Sequence, residues 1–168
     1  MGTYWVVVCN IYGAVTSAPV VLNVILLVAR RPAPGINLIG DLGTSLNVEY
    51  SDVLGPPANW LPLDTVSLTN PPQYCFDVSA PLPPERFYRA WQSGTPSVVP
   101  SLNLNFVPAI TLTGDIGSKV RLDYINAIGP TDAWVTLDTI TLTNTSQLYF
   151  DVSAPGQPRR LYRIVPVH

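Results

Sequence analysis

Histidine is almost missing from this chain, and charge is scarce. One of 168 residues is histidine, His168, at the last position. A Ser-His-Asp or Cys-His site needs a base held by packing and oriented by a third group. A terminal position does not supply that support, so histidine-dependent catalysis is not expected. Charged residues make up 12%, against ~25% in ordinary domains. Lys119 is the only lysine, and the net charge is −2. Binding to a phosphate backbone needs a clustered basic face that releases counterions. No such cluster is present, so nucleic acid is not an expected partner.

Long apolar runs and cysteine are also sparse. Residues 1–29 carry no charge, so the positive n-region of a secretory signal is missing and no signal peptide is expected in this chain. The most apolar run, Ala18 to Ala29, is broken by Pro19 and Asn23. It falls short of the ~20 residues of a membrane-spanning helix. It reads as a long buried strand, and membrane insertion is not expected. Cys9 and Cys75 each lie in an apolar run, which predicts two buried thiols rather than a disulfide. Two cysteines and one histidine do not make the four ligands of a structural zinc site. A GxSxG elbow, a P-loop and a dinucleotide-binding glycine motif are all missing.

What the chain has in quantity is 47% hydrophobic residues, 18 prolines, 11 glycines and 8 tyrosines. Aromatic strands punctuated by turn residues predict an all-β fold. No window carries the 3.6-residue period of a helix.

The dominant feature is an internal repeat. Residues 36–90 match residues 110–164 without a gap, at a constant offset of 74, and roughly half the positions are identical. Each copy parses into about five strands. Ile36–Ile39 (Ile110–Thr113) ends at a Gly-Asp-x-Gly turn, Gly40 to Gly43 and Gly114 to Gly117. Leu46–Tyr50 and Val120–Tyr124 alternate apolar and polar, the period of a strand with one buried face. Thr65–Leu68, Tyr74–Val78 and Arg86–Arg89 follow, with their counterparts at Thr139, Leu148 and Arg160. A unit of about 55 residues is marginal alone. The expected architecture is therefore two homologous five-stranded units forming a sandwich-like or barrel-like pair, plus an N-terminal β-hairpin. The units bury open faces on each other or stand apart on the Ser93–Ser101 linker. The expected boundaries are 1–30 for the hairpin, 31–92 for the first unit and 93–168 for the second, which includes a linker strand.

Two resemblances follow from these residues. Residues 3–24 resemble the last two strands of an intermediate-type immunoglobulin-like domain. Tyr4, Asn10 and Gly13 occupy the Tyr, Asn and Gly of its Tyr-x-Cys-x-Ala-x-Asn-x-x-Gly pattern, and Leu22 and Val24 its Leu-x-Val ending. The resemblance implies a tyrosine corner at Tyr4. Val6 stands at the family's disulfide Cys and Val8 at its Ala, so that disulfide is lost. The upstream strands of such a domain are missing, which implies the tail of a longer protein. Because a lone hairpin is unstable, hairpin 3–28 is expected to pair with the repeats or with a second chain as a homodimer. The 36–90 and 110–164 copies resemble short repeats near the C-termini of large secreted multi-domain bacterial proteins. They share Tyr50/Tyr124, Trp60/Trp134, Asp77/Asp151 and the pairs Tyr88-Arg89/Tyr162-Arg163. The resemblance implies a secreted or cell-surface location and an accessory role, and it carries over no catalytic residues.

The chemistry left to the chain rests on carboxylates and aromatics. Asp41, Asp115 and Asp132 are the candidate ligands for Ca²⁺, a hard cation that takes oxygen donors from loops. The competing reading makes Asp41 and Asp115 turn caps and pairs Asp77 and Asp151 with Arg86/Arg89 and Arg160/Arg163. A bound cation would allow metal-assisted hydrolysis of a small ester or lactone, a quorum-quenching lactonase type of activity. Trp60 and Trp134 are candidates for stacking on a glycan or small-molecule ligand, or else framework residues beside Leu63 and Leu137. Asn144-Thr145-Ser146 is a glycosylation sequon, expected to be unused. The leading expectation is a non-catalytic binding or structural module. The hydrolase and a carbohydrate-binding module are the alternatives.

Overall fold

The computed structural model describes residues 2–22, 28–57, 59–70, 73–127, 133–157 and 159–167. The chain is all-β, and no helix occurs among the described residues. Accordingly, none of them forms a helix long and apolar enough to cross a membrane.

The N-terminal segment is a hairpin interrupted in the middle. β1 (Gly2–Tyr4) pairs antiparallel with β4 (Val20–Leu22), and β2 (Val7–Asn10) with β3 (Gly13–Thr16). Ser17 bridges the break: its N–H donates to the Val6 carbonyl at 2.8 Å, and its Oγ accepts from the Val6 N–H at 3.0 Å. Among the described residues, these four strands pair only with each other. Two expectations change as a result. The start of the Ala18–Ala29 run is not buried: Ala18, Pro19 and Val20 are exposed, β4 covers Val20–Leu22, and residues 23–27 of the 3–28 segment lie outside the described residues. Cys9 is exposed and only Cys75 is buried, both as free thiols, because nothing described covers either face of the hairpin.

The repeat appears as two copies of one five-strand unit. β5 (Arg30–Ile39), β6 (Ser45–Ser51), β7 (Leu61–Ser67), β8 (Gln73–Phe76) and β9 (Phe87–Trp91) form the first. β10 (Ser101–Thr113), β11 (Lys119–Ile125), β12 (Val135–Thr141), β13 (Ser146–Phe150) and β14 (Leu161–Val167) form the second. Each copy has its own three-stranded sheet, β7-β6-β9 and β12-β11-β14. Both carry a register shift at the same position, Val48/Glu49 and Leu122/Asp123.

The remaining strands form one shared sheet, in the order β13-β10-β5-β8. At its centre β5 and β10 run antiparallel through ten residue pairs. Ala33 faces Val107, its own counterpart 74 positions on. Away from that pair the counterparts exchange partners: Ile36 faces Leu104 where Ile110 faces Arg30. The two copies are thus related by a pseudo-two-fold axis through the Ala33–Val107 pair, the self-complementary geometry of an isologous dimer interface. The units meet edge to edge through backbone hydrogen bonds. Leu102 of β10 also packs against the first core, so the units are joined by a paired ladder with side-chain contact across it.

Two cores lie between the shared sheet and the flanking sheets. Ile36, Leu38, Leu46, Val48, Val66, Leu68 and Cys75 form one, and Ile110, Leu112, Val120, Leu122, Leu142 and Tyr162 the other. Five positions recur in both, from Ile36/Ile110 to Leu68/Leu142. Each such aliphatic side chain contributes about 1.5–3 kcal/mol of burial. The turns predicted at Gly40–Gly43 and Gly114–Gly117 form as expected. Gly43 and Gly117 adopt φ of +81° and +84°, a region that glycine enters without a Cβ clash.

Candidate functional site

The polar residues of each copy converge at the end of the shared sheet's outer strands. β8 and β13 end where Asp77 N–H and Asp151 N–H donate to the carbonyls of Pro34 and Pro108, each at 3.0 Å. That bond fixes the two aspartates at strand ends, where a short acceptor side chain turns back on the backbone two residues further on. Ser79 N–H donates to Asp77 Oδ1 at 2.9 Å, and Ser153 N–H to Asp151 Oδ1 at 3.0 Å. The other carboxylate oxygen takes an arginine and a phenol. Arg86 Nη1 and Tyr88 OH each donate to Asp77 Oδ2 at 2.8 Å. Arg160 Nη1 at 2.7 Å and Tyr162 OH at 2.8 Å do the same at Asp151 Oδ2. Each guanidinium also lies 4.1 Å over a ring, Arg86 on Tyr50 and Arg160 on Tyr124.

Asp77 and Asp151 are fully buried. Burial works to raise their pKa values. Hydrogen bonds from Ser79, Arg86 and Tyr88 outweigh it and hold Asp77 at about 2, and Ser153, Tyr162 and Arg160 likewise lower Asp151. Tyr88 and Tyr162 shift upward, through burial and the carboxylate each phenol touches. A carboxylate so acidic is a weak base at neutral pH, far from the matched pKa of a general base. These groups fix charge rather than move protons.

A second ion pair lies across the β6–β9 and β11–β14 ladders. Arg89 faces Glu49 in register and donates from Nε to Oε2 at 2.6 Å. Arg163 faces Asp123 and donates from Nε to Oδ2 at 2.9 Å. The sequence expectation therefore needs one correction: Asp77 and Asp151 bind Arg86 and Arg160, while Arg89 and Arg163 serve Glu49 and Asp123. Strand alternation is the reason, because Arg86 and Tyr88 share a face that Arg89 does not. The second copy is more tightly built. Asp123 is 1% exposed, and it also accepts from Arg121 Nε at 2.8 Å and Thr136 Oγ1 at 3.1 Å.

Trp60 and Trp134 are half-buried beneath these arginines, with the guanidiniums of Arg89 and Arg163 each 4.5 Å from the ring. One face of each indole is thus occupied. Asp41 accepts from the backbone N–H groups of Ser97 at 2.7 Å and Val98 at 3.0 Å, a loop-tethering role. Asp115 lies exposed in the counterpart turn. These two turns follow β5 and β10, which run antiparallel, so they stand at opposite ends of the central ladder. Asp132 lies outside the described residues. Among the described residues no three metal-ligating side chains come together.

The sequence singled out the recurring Asp, Arg, Tyr and Trp. It missed the stacking of Arg86 and Arg160 on Tyr50 and Tyr124 and the cross-strand role of Glu49 and Asp123. The latter follows from the register of β6 against β9 and of β11 against β14, which the sequence does not carry. The chain matches no family model, and neither curated proteins nor solved structures give a match.

Proposed function

We propose that the chain is a non-catalytic structural and binding module of a secreted or cell-surface multi-domain protein. What carries this reading is the fate of two buried carboxylates that recur in both copies. Asp77 and Asp151 have both oxygens occupied by donors of their own chain, and the phenols beside them are held protonated. A repeated polar set of this kind rigidifies the end of a sheet. The resemblance of both copies to repeats of secreted multi-domain proteins, and of residues 3–24 to an immunoglobulin-like hairpin, points the same way.

The direct test is a panel of small esters and lactones assayed with the full chain, in Ca²⁺ and in chelator. No turnover above buffer is expected in either. Turnover lost on chelation would replace this reading with the calcium-dependent hydrolase. A glycan array adds a check on Trp60 and Trp134: saturable binding abolished by Trp60→Ala and Trp134→Ala would make the module a carbohydrate binder.

The hairpin supplies the assembly part of the reading. Ile11 and Tyr12 are each 90% exposed, and Trp5, Val8 and Val15 are exposed beside them. Uncovered apolar strands favour addition of another chain, and a second copy is the expected partner. Light scattering should give a dimer that Ile11→Ser with Tyr12→Ser converts to monomer. A monomeric parent chain would remove this part.

A further inference from the structure

The duplication provides an internal control for a site that differs between the copies. A cleft of about 360 Å³ opens beside Tyr88, and one of about 300 Å³ beside Tyr162. They are counterparts: Pro34, Arg86 and Tyr88 of the first correspond to Pro108, Arg160 and Tyr162 of the second. Two of the substitutions between them add positive charge, and a third removes an apolar side chain. Leu104 becomes Arg30, Glu85 becomes Arg159, and Leu82 becomes Gly156. Arg30 reaches over the Tyr162 ring, its guanidinium carbon 6.0 Å from the centroid.

The shared arginine is partnered differently as well. Arg86 Nε donates to Asp52 Oδ1 at 2.6 Å and its Nη2 to Oδ2 at 3.1 Å. Asn126 stands at the position of Asp52 in the second copy. Arg160, 6% exposed, keeps its bond to Asp151, but its Nε is buried with no partner among the described residues. Buried donors are rarely left unpaired. Around the first cleft Arg86 has Glu85 beside it and Asp52 and Asp77 bonded to it, with Arg31 held on the Val78 and Ser79 carbonyls, two positive charges against three negative. In the second, among the described residues, Arg30, Arg159 and Arg160 gather with Asp151 as the carboxylate bonded to Arg160. Among the described residues the same backbone thus frames an acidic site and a basic one.

We propose that the second cleft binds a small organic anion, its carboxylate or phosphate group held by Arg30, Arg159 and Arg160 and its apolar part lying on Phe106 and Pro108. Planar guanidinium forks match the oxygens of both groups. The cleft is at the small end of the range for ligand pockets, which suits a ligand of a few heavy atoms beyond the anionic group. This proposal names the ligand class for the binding module proposed above. Turnover in the ester panel would end that reading and leave this one standing, so the two fail separately.

The test is side-chain NMR on the ¹⁵N-labelled full chain, titrated with inorganic phosphate and separately with benzoate at constant ionic strength in chloride. The Arg160 Nε–Hε signal should shift saturably in the millimolar range, while Arg86, already bonded to Asp52, stays in place. Asn126→Asp, which restores the first-copy carboxylate, should weaken binding at least about tenfold and raise the melting temperature. Arg159→Glu should weaken it comparably while the backbone spectrum is preserved. Tighter benzoate binding identifies a carboxylate with an apolar body, and tighter phosphate binding a phosphoryl group. The proposal is overturned by the absence of a saturable Arg160 shift, by equal shifts at Arg86 and Arg160, or by unchanged affinity in a folded Asn126→Asp or Arg159→Glu chain.

Discussion

Phe76 and Phe150, the same position in the two copies, stack on each other with ring centroids 3.9 Å apart and planes 3° from parallel. They end the outer strands of the shared sheet, β8 opposite Gly35 and β13 opposite Ala109. A Cβ on Gly35 would meet Val107 Cγ1 at 3.2 Å and Phe76 at 3.4 Å. The missing side chain therefore leaves room for the stack. A residue and its own counterpart touch only on a symmetry axis, so the Phe pair and the Ala33–Val107 pair mark the same pseudo-two-fold.

The stack should appear as an energetic coupling between the copies. Phe76→Ala and Phe150→Ala are each expected to lower stability by about 2–3 kcal/mol, below the range for a fully buried Phe because both rings are half-buried. The double variant should cost about 1 kcal/mol less than the sum, the size of an aromatic pair. Urea denaturation of the four chains measures this. Strict additivity would mean that the two units are energetically independent.

Asp77→Asn and Asp151→Asn leave a guanidinium facing a neutral amide at a buried position. Each is expected to cost about 3 kcal/mol, the usual result of removing one partner of a buried pair. Urea midpoints check it. Losses under 1 kcal/mol in both would show that these networks add little to the fold.

Stability should fall at both ends of the pH scale. Asp77 sits at about 2 in the folded chain and near 3.9 when unfolded. Its contribution is therefore complete above about pH 4 and is lost as pH falls toward 2, about 2 kcal/mol in all. Asp151 shifts in the same direction. The alkaline limb has the opposite sign. Burial pushes the Cys75 thiol up to about 12, and Tyr88 and Tyr162 also rise. Their contributions are present below the ordinary thiol and phenol values and are lost as pH climbs through the folded ones. A stability plateau from about pH 4 to 9 is expected from urea midpoints, and Asp77→Asn should flatten its acid limb.

The two Trp–Arg–carboxylate sets should differ in strength. Arg89 is 49% exposed at its side chain and meets a Glu49 that is 17% exposed, so Arg89→Ala is expected to cost under about 1 kcal/mol. Arg163 is 30% exposed and meets an Asp123 that is 1% exposed. Its removal leaves Arg121 as that carboxylate's ion-pair partner, and a loss of about 1–2 kcal/mol is expected. Thermal melts of the two variants, compared directly, decide this. Equal effects would place the energy in the Trp contact common to both.

The offset of 74, the alternation in Leu46–Tyr50 and Val120–Tyr124, and the Gly-Asp-x-Gly turns carried the all-β class, the five strands per copy and the positive φ at Gly43 and Gly117. They did so because period and turn chemistry are local. β5 and β10 were read only at their ends. Pro32, Pro34 and Pro108 sit near their midpoints, and proline argues against a central strand. The strands tolerate these prolines where the ladder crosses the axis: Pro32 faces Pro108, and Pro34 and Pro108 use their carbonyls to hold Asp77 and Asp151. Cys9 was expected to be buried because its neighbours are apolar. Apolar neighbours record only what a strand would prefer to touch.

By itself the sequence determined that one β unit occurs twice and which of its residues recur. Periodicity, turn residues and duplication are properties of a chain read in order. Only the tertiary structure decided that the copies share a sheet about a two-fold, that Arg86 and Arg160 take the buried aspartates, and that three arginines gather around Tyr162. Each of these depends on register between strands distant in sequence, where a shift of one residue would turn every side chain to the opposite face.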